Sequence, residues 1–99
     1  MYGTITPEEV ERLINGKKDV SIIDVREPIE YAGGHIPGAK NISVNIIQFR
    51  MDEIDKTREH IIVCQSGSRS GVASAILAAN GFKVKNMSGG MMNWTGSME

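Results

Sequence analysis

The chain has 99 residues, 40% of them hydrophobic, with 11 Lys and Arg against 12 Asp and Glu for a formal net charge of −1. That length holds one small domain, 1–99, with one modest core, and the evenly spread charge excludes both a nucleic-acid stripe and a polybasic membrane surface. One cysteine excludes an internal disulfide framework and a cysteine-rich zinc site. The first nine residues lack the charged and apolar regions of a signal peptide, and no apolar run approaches the ~20 residues of a membrane span. The expectation is a cytoplasmic protein with neither nucleic acid nor membrane as partner.

Thr6-Pro7-Glu8-Glu9 predicts a helix start, in which Thr6 accepts from the Glu9 N–H, Glu9 reaches back and Pro7 takes the first helical position. Val10, Leu13 and Ile14 follow at helical spacing until Gly16 stops the helix. The apolar run 20–25, Val-Ser-Ile-Ile-Asp-Val, reads as a central strand ended by Arg26-Glu27-Pro28, with Pro28 opening a short helix through Glu30 and Tyr31. Asp24 and Arg26 fall at that strand's end, where a charge pair would tie neighbouring loops together. Gly33 to Ala39 is a loop dense in Gly and Pro, and His35 within it reads as a loop anchor rather than a partner for a cysteine. With no second His/Cys cluster, no metal site is expected.

Asn41-Ile42 predicts a short strand, and Ser43 the cap of a helix through Val44, Ile47 and Met51. A charged connection from Asp52 to Glu59 leads to Ile61-Ile62-Val63, a β-branched run suited to a buried strand. Residues 71–79 form a helix, with Val72, Ala75, Ile76 and Ala79 on one face, and Asn80-Gly81 ends it. Phe82-Lys83-Val84-Lys85 alternates as a final strand, and the chain from Met87 to Trp94 turns into a last short helix whose methionines serve as core filler. Strands alternating with helices indicate an α/β domain built on a mostly parallel sheet.

Chemistry concentrates in Cys64-Gln65-Ser66-Gly67-Ser68-Arg69-Ser70. The cysteine follows a strand, and a helix opens a few residues later, which is where open α/β sheets bind ligands. Backbone N–H groups of a tight Gly/Ser turn, the helix's positive end and the Arg69 cation all favour thiolate over thiol. Cysteines in such settings titrate at roughly 3.5–7.5 rather than about 8.5. These residues make Cys64 a candidate nucleophile.

Taken together the motifs resemble the rhodanese family of single-domain sulfurtransferases. The resemblance rests on Ile22-Ile23-Asp24-Val25-Arg26-Glu27, on Glu30-Tyr31 and on Gly34-His35-Ile36-Pro37-Gly38-Ala39. It continues through Cys64 to Ser70, the Asn80-Gly81-Phe82 turn, and Gly89-Gly90 followed by Trp94. It implies a central, mostly parallel five-stranded sheet with helices on both faces. It also implies an activity: Cys64 takes the outer sulfur of a small anionic donor such as thiosulfate, and the persulfide passes it to cyanide or to a protein thiol. The backbone N–H groups from Gln65 to Ser70 would hold the donor and the terminal sulfur. Ser66, Ser68 and Ser70 would add hydroxyls, Arg69 would neutralise the anion, and Gly67 would let the loop curl around the sulfur. No cofactor is implied. Gln65 stands where some thiosulfate-using members carry a cation, so polysulfide and protein persulfide stand beside thiosulfate as donors.

Two alternatives bear on the same loop. Cysteine-based phosphatases and arsenate reductases use a similar cysteine-to-arginine anion loop that is one residue longer than the spacing of Cys64 and Arg69. A sulfur-relay or protein-interaction module would retain the loop without free turnover.

Overall fold

Five short parallel strands form one sheet in the order β1-β5-β4-β2-β3, where β1 is Gly3–Ile5, β2 Ser21–Asp24, β3 Lys40–Asn41, β4 Glu59–Val63 and β5 Lys83–Met87. The structure is a computed structural model and describes residues 2–99. Consecutive residues of a strand point to opposite faces, so Ile22, Ile61 and Val63 pack on one side while Ile23, Ile62 and Cys64 pack on the other. The first side is covered by α1 (Pro7–Asn15) through Val10, Leu13 and Ile14, with Tyr31 of α2 (Pro28–Ala32) and Trp94 beside it. The second is covered by α3 (Ser68–Ala79) through Ala73 and Leu77, and by Ile47 and Ile54. Helical cover on both faces of an all-parallel sheet is what an α/β domain requires to bury two apolar surfaces.

The Thr6–Glu9 capping box forms as read, with Glu9 N–H donating to Thr6 Oγ1 at 3.1 Å and Thr6 N–H to Glu9 Oε1 at 2.9 Å. Elsewhere the local reading needs correction. The edge strand β1 is too short to carry an alternating pattern, and only its pairing with β5 defines it. Ser43 caps no α-helix. Its hydroxyl donates to Glu27 Oε1 at 2.7 Å and accepts from the Asn45 N–H at 3.2 Å, closing a local turn. The segment that follows, opening on the β-branched Val44, Ile46 and Ile47, forms only 3₁₀ turns at Ile47–Phe49 and Met51–Glu53. The last segment is likewise a 3₁₀ turn, Met91–Asn93.

The helix after the cysteine begins at Ser68 rather than Gly71, which places Ser68, Arg69 and Ser70 in its first turn. Its buried face is Ser70, Ala73, Ser74 and Leu77, whereas Val72 is 56% exposed. Nearly every residue of α3 is apolar or small, so hydrophobicity alone draws no stripe on it. Ser70, Ala73 and Ser74 on the buried face let the helix approach the sheet, and Leu77 joins the core. No helix of the described residues is long and apolar enough to cross a membrane.

Candidate functional site

The central strand β4 lies between β2 and β5. From β2 the chain crosses to β3 on one side, and from β4 it crosses to β5 on the other, so the C-terminal ends of these two strands mark the sheet's topological switch point, the place where open α/β sheets bind ligands. Cys64 is the first residue past β4. Gly67 then takes a left-handed conformation, φ 101°, and caps α3. A Cβ there would lie 3.2 Å from the Gly89 nitrogen, so the close approach that demands glycine is to the backbone of a second turn.

The tight turn aims its donors at the sulfur. Gly67 N–H donates to Cys64 Sγ at 3.0 Å, and Ser70 Oγ lies 3.3 Å from it. Burial pushes the thiol up, but the Ser70 hydroxyl and the amides of Ser70, Gly67 and Ser66 outweigh it and hold the thiol below its ordinary value. Cys64 is 1% exposed. The loop residues that follow it, Gln65, Ser66 and Ser68, are exposed. The Ser66 and Ser68 hydroxyls bond each other at 3.1 Å.

Arg69 is not a free cation. Its guanidinium forks onto Glu30 of α2, Nη1 to Oε1 at 2.6 Å and Nη2 to Oε2 at 2.9 Å. The fork, with the Glu27 N–H behind it, holds the Glu30 carboxyl at about 2, and Glu30 in turn raises Arg69. Asp24 and Arg26 form a second pair, buried at the end of β2, with Arg26 Nη2 2.7 Å from Asp24 Oδ2 and 2.8 Å from the Gly34 carbonyl. Asn41 Nδ2 bonds the carbonyls of Asp24 and Arg26, at 3.0 and 2.9 Å. His35 stacks on Tyr31 with ring centres 3.7 Å apart, and its Nδ1 lies 3.0 Å from the Tyr31 carbonyl. The fold therefore gathers Cys64 through Ser70 into one site and sets Asp24, Arg26 and His35 to bracing the loops beside it.

Three residues of this site carried no assigned role in the sequence reading. Glu30 neutralises Arg69 from 39 residues away. Asn86 of β5 lies beside Ser70, with Oδ1 2.5 Å from its Oγ, and donates from Nδ2 to the Gly67 carbonyl at 3.1 Å. Gly90 lies under the loop's start, where a Cβ would fall 2.6 Å from the Cys64 carbonyl oxygen and 2.5 Å from that of Gln65. The residues after it close the clasp, Met91 N–H to Cys64 O at 2.8 Å and Met92 N–H to Gln65 O at 3.0 Å. The Gly89-Gly90 pair was a signal of this backbone approach, whereas Glu30 and Asn86 gave no local signal of their contacts.

Comparison with known proteins agrees with the geometry. The model of the rhodanese-like domain family matches residues 6–97. A sulfurtransferase of Allochromatium vinosum is 38% identical, over 95% of this chain and 89% of its own length. A putative sulfur carrier protein of Bacillus subtilis is 36% identical over 96% of this chain, which spans 52% of that protein. The crystal structure of a rhodanese-like domain protein from Staphylococcus aureus superposes with a TM-score of 0.93 at 36% identity, covering 98% of this chain and 96% of that one.

Proposed function

The chain belongs to the rhodanese-like domain family, and on that footing we propose that it transfers sulfane sulfur through a persulfide on Cys64. The thiolate attacks the outer sulfur of the donor, the donor's S–S bond breaks, and its electron pair leaves with sulfite or a thiolate. The new terminal sulfur carries the negative charge and rests against the loop amides. Cyanide or an acceptor thiolate then attacks that sulfur and returns the Cys64 thiolate. Covalent catalysis of this kind divides one transfer into two displacements.

The observation that carries the reading is the convergence of the Gly67 N–H and the Ser70 hydroxyl on Sγ, with the Ser66 and Ser70 amides adding to them. Donors so placed favour the thiolate, and the reading needs no dedicated general base. Asp24, Arg26 and His35 keep the neighbouring loops in place and take no part in the displacements. A further observation favours a persulfide donor over thiosulfate: Glu30 already satisfies Arg69, which leaves the loop without an unpaired cation to attract a dianion. The name of the Bacillus subtilis relative, a putative sulfur carrier, agrees with that reading.

Intact-mass measurement after treatment with thiosulfate, polysulfide or a small alkyl persulfide tests the proposal. The expected result is a gain of one sulfur atom that is absent in Cys64→Ser. No adduct with any donor refutes it and leaves a binding module.

A further inference from the structure

Ser70 has one hydroxyl proton and two acceptors beside it. Its Oγ lies 3.3 Å from Cys64 Sγ and 2.5 Å from Asn86 Oδ1, and Ser70 is fully buried. The Asn86 amide is held in this orientation because its Nδ2 donates to the Gly67 carbonyl at 3.1 Å. A flipped amide would set Oδ1 against that carbonyl, acceptor against acceptor. When the sulfur is a thiol, all groups are satisfied: S–H donates to Ser70 Oγ and Ser70 donates to Asn86. When it is a thiolate, Ser70 turns its proton onto the sulfur, and Asn86 Oδ1 is stranded at a site only 8% exposed.

From this geometry we infer that Asn86 is a positioning residue that competes with Cys64 for the Ser70 proton and favours the sulfur-loaded protein over the empty thiolate. The inference rests on the sulfurtransferase reading. In a persulfide the charge moves to the terminal sulfur and Sγ becomes a neutral, poor acceptor, so Ser70 returns to Asn86 and nothing is stranded. Unloading restores the conflict. An acceptor thiolate attacks the terminal sulfur, the protein's S–S bond breaks, and its electron pair stays on Sγ. The sulfur leaves as the acceptor's persulfide, with no proton or oxidant consumed.

Charged groups around the sulfur do not supply this effect. Arg69 of α3 is paired with Glu30 of α2, and Asp24 with Arg26 at the end of β2. β5 presents only the neutral Asn86, since its Lys85 turns to Glu59 and Lys83 is exposed at its start.

The test is the pH dependence of Cys64 alkylation in Asn86→Leu, Ser70→Ala and the double variant. Asn86→Ala removes the same acceptor and repeats the test if leucine crowds Gly71. Removing the competing acceptor is expected to lower the midpoint and raise the thiolate fraction below it roughly threefold to tenfold, the equivalent of one hydrogen bond. Ser70→Ala is expected to raise the midpoint, and in that background Asn86→Leu should have no further effect. Equilibration of the loaded protein with N-acetylcysteine, read by intact mass, should shift toward the empty form by a similar factor in Asn86→Leu.

An unchanged or raised midpoint in both Asn86 variants overturns the inference. So does an Asn86 effect that survives in Ser70→Ala, which would place its action at the Gly67 carbonyl. A wild-type protein that accepts no sulfur overturns the sulfurtransferase reading and the loaded-state preference with it. The alkylation midpoints would still decide whether Asn86 competes for the hydroxyl.

Discussion

Replacing Glu30 by Gln keeps the shape of the Arg69 partner and removes its charge. The carboxyl sits at about 2 against an ordinary 4.5, so Glu30 contributes stability that is fully present above pH 4.5 and is lost as pH falls through about 2. At face value that displacement is worth about 3 kcal/mol. Both side chains are about a third exposed, at 34% and 33%, and solvent screening reduces the contribution to about 1 kcal/mol.

The larger consequence is for the loop, which gains an unpaired cation. A unit charge acting on a dianion across roughly 6 Å of water-like medium is worth about 1.4 kcal/mol. Persulfidation of Cys64 by thiosulfate should therefore accelerate by about threefold to tenfold at low ionic strength, and the gain should fade toward 1 M salt, where screening acts over roughly 3 Å. The assay is the second-order rate of sulfur uptake by intact mass, at low and high salt, with Glu30→Gln/Arg69→Ala expected to lose the gain. An unaltered or slower low-salt rate in folded Glu30→Gln refutes the view that Glu30 holds Arg69 in check.

Gly90→Ala sets a methyl 2.5–2.6 Å from the backbone of Cys64 and Gln65 at φ 63°, so a loss of about 3 kcal/mol or more is expected in urea unfolding. Wild-type midpoint values would show that the Gly89-Gly90 turn yields without cost. Asp24→Ala leaves the Arg26 guanidinium buried without its partner, and about 3–5 kcal/mol should be lost. The apolar double replacement Asp24→Leu/Arg26→Met strands no charge and should cost less than the single change, again read by urea unfolding. A double variant as unstable as the single one would mean that the Arg26 hydrogen bond to the Gly34 carbonyl, not the pair's charge balance, sets the cost.

Features carried by a few neighbouring residues were legible in the sequence. The Thr6–Glu9 box, the proline-led start of α2 and the strand-to-loop passage at Cys64 each depend on contacts within a turn or two. Register and pairing across the sheet were not. Ser70 and Asn86 are 16 residues apart, and Glu30 and Arg69 are 39 apart; only the parallel pairing of β4 with β5, and the reach of α2 to the first turn of α3, brings them into contact. The buried face of α3 was misassigned for a related reason. When a helix is apolar or small on every side, packing onto the sheet, here onto β4 and β5, decides which face turns inward, and no pattern within the helix records it.

Folding also changes which physical effect holds the anion. In the sequence, Arg69 is the loop's only charge and the natural source of attraction. In the structure Glu30 cancels it, and what converges on Cys64 are amide dipoles and one hydroxyl. Dipoles act over a shorter range than a net charge, so they stabilise a negative sulfur already in the loop and do little to draw an anion from solution. Such a site is suited to holding a persulfide, with the choice of donor left to whatever brings the sulfur to the loop. A protein or small-thiol persulfide meets that requirement without needing a cationic mouth. Thiosulfate gains most when Arg69 is released, which is why the Glu30 variant separates the two donor classes.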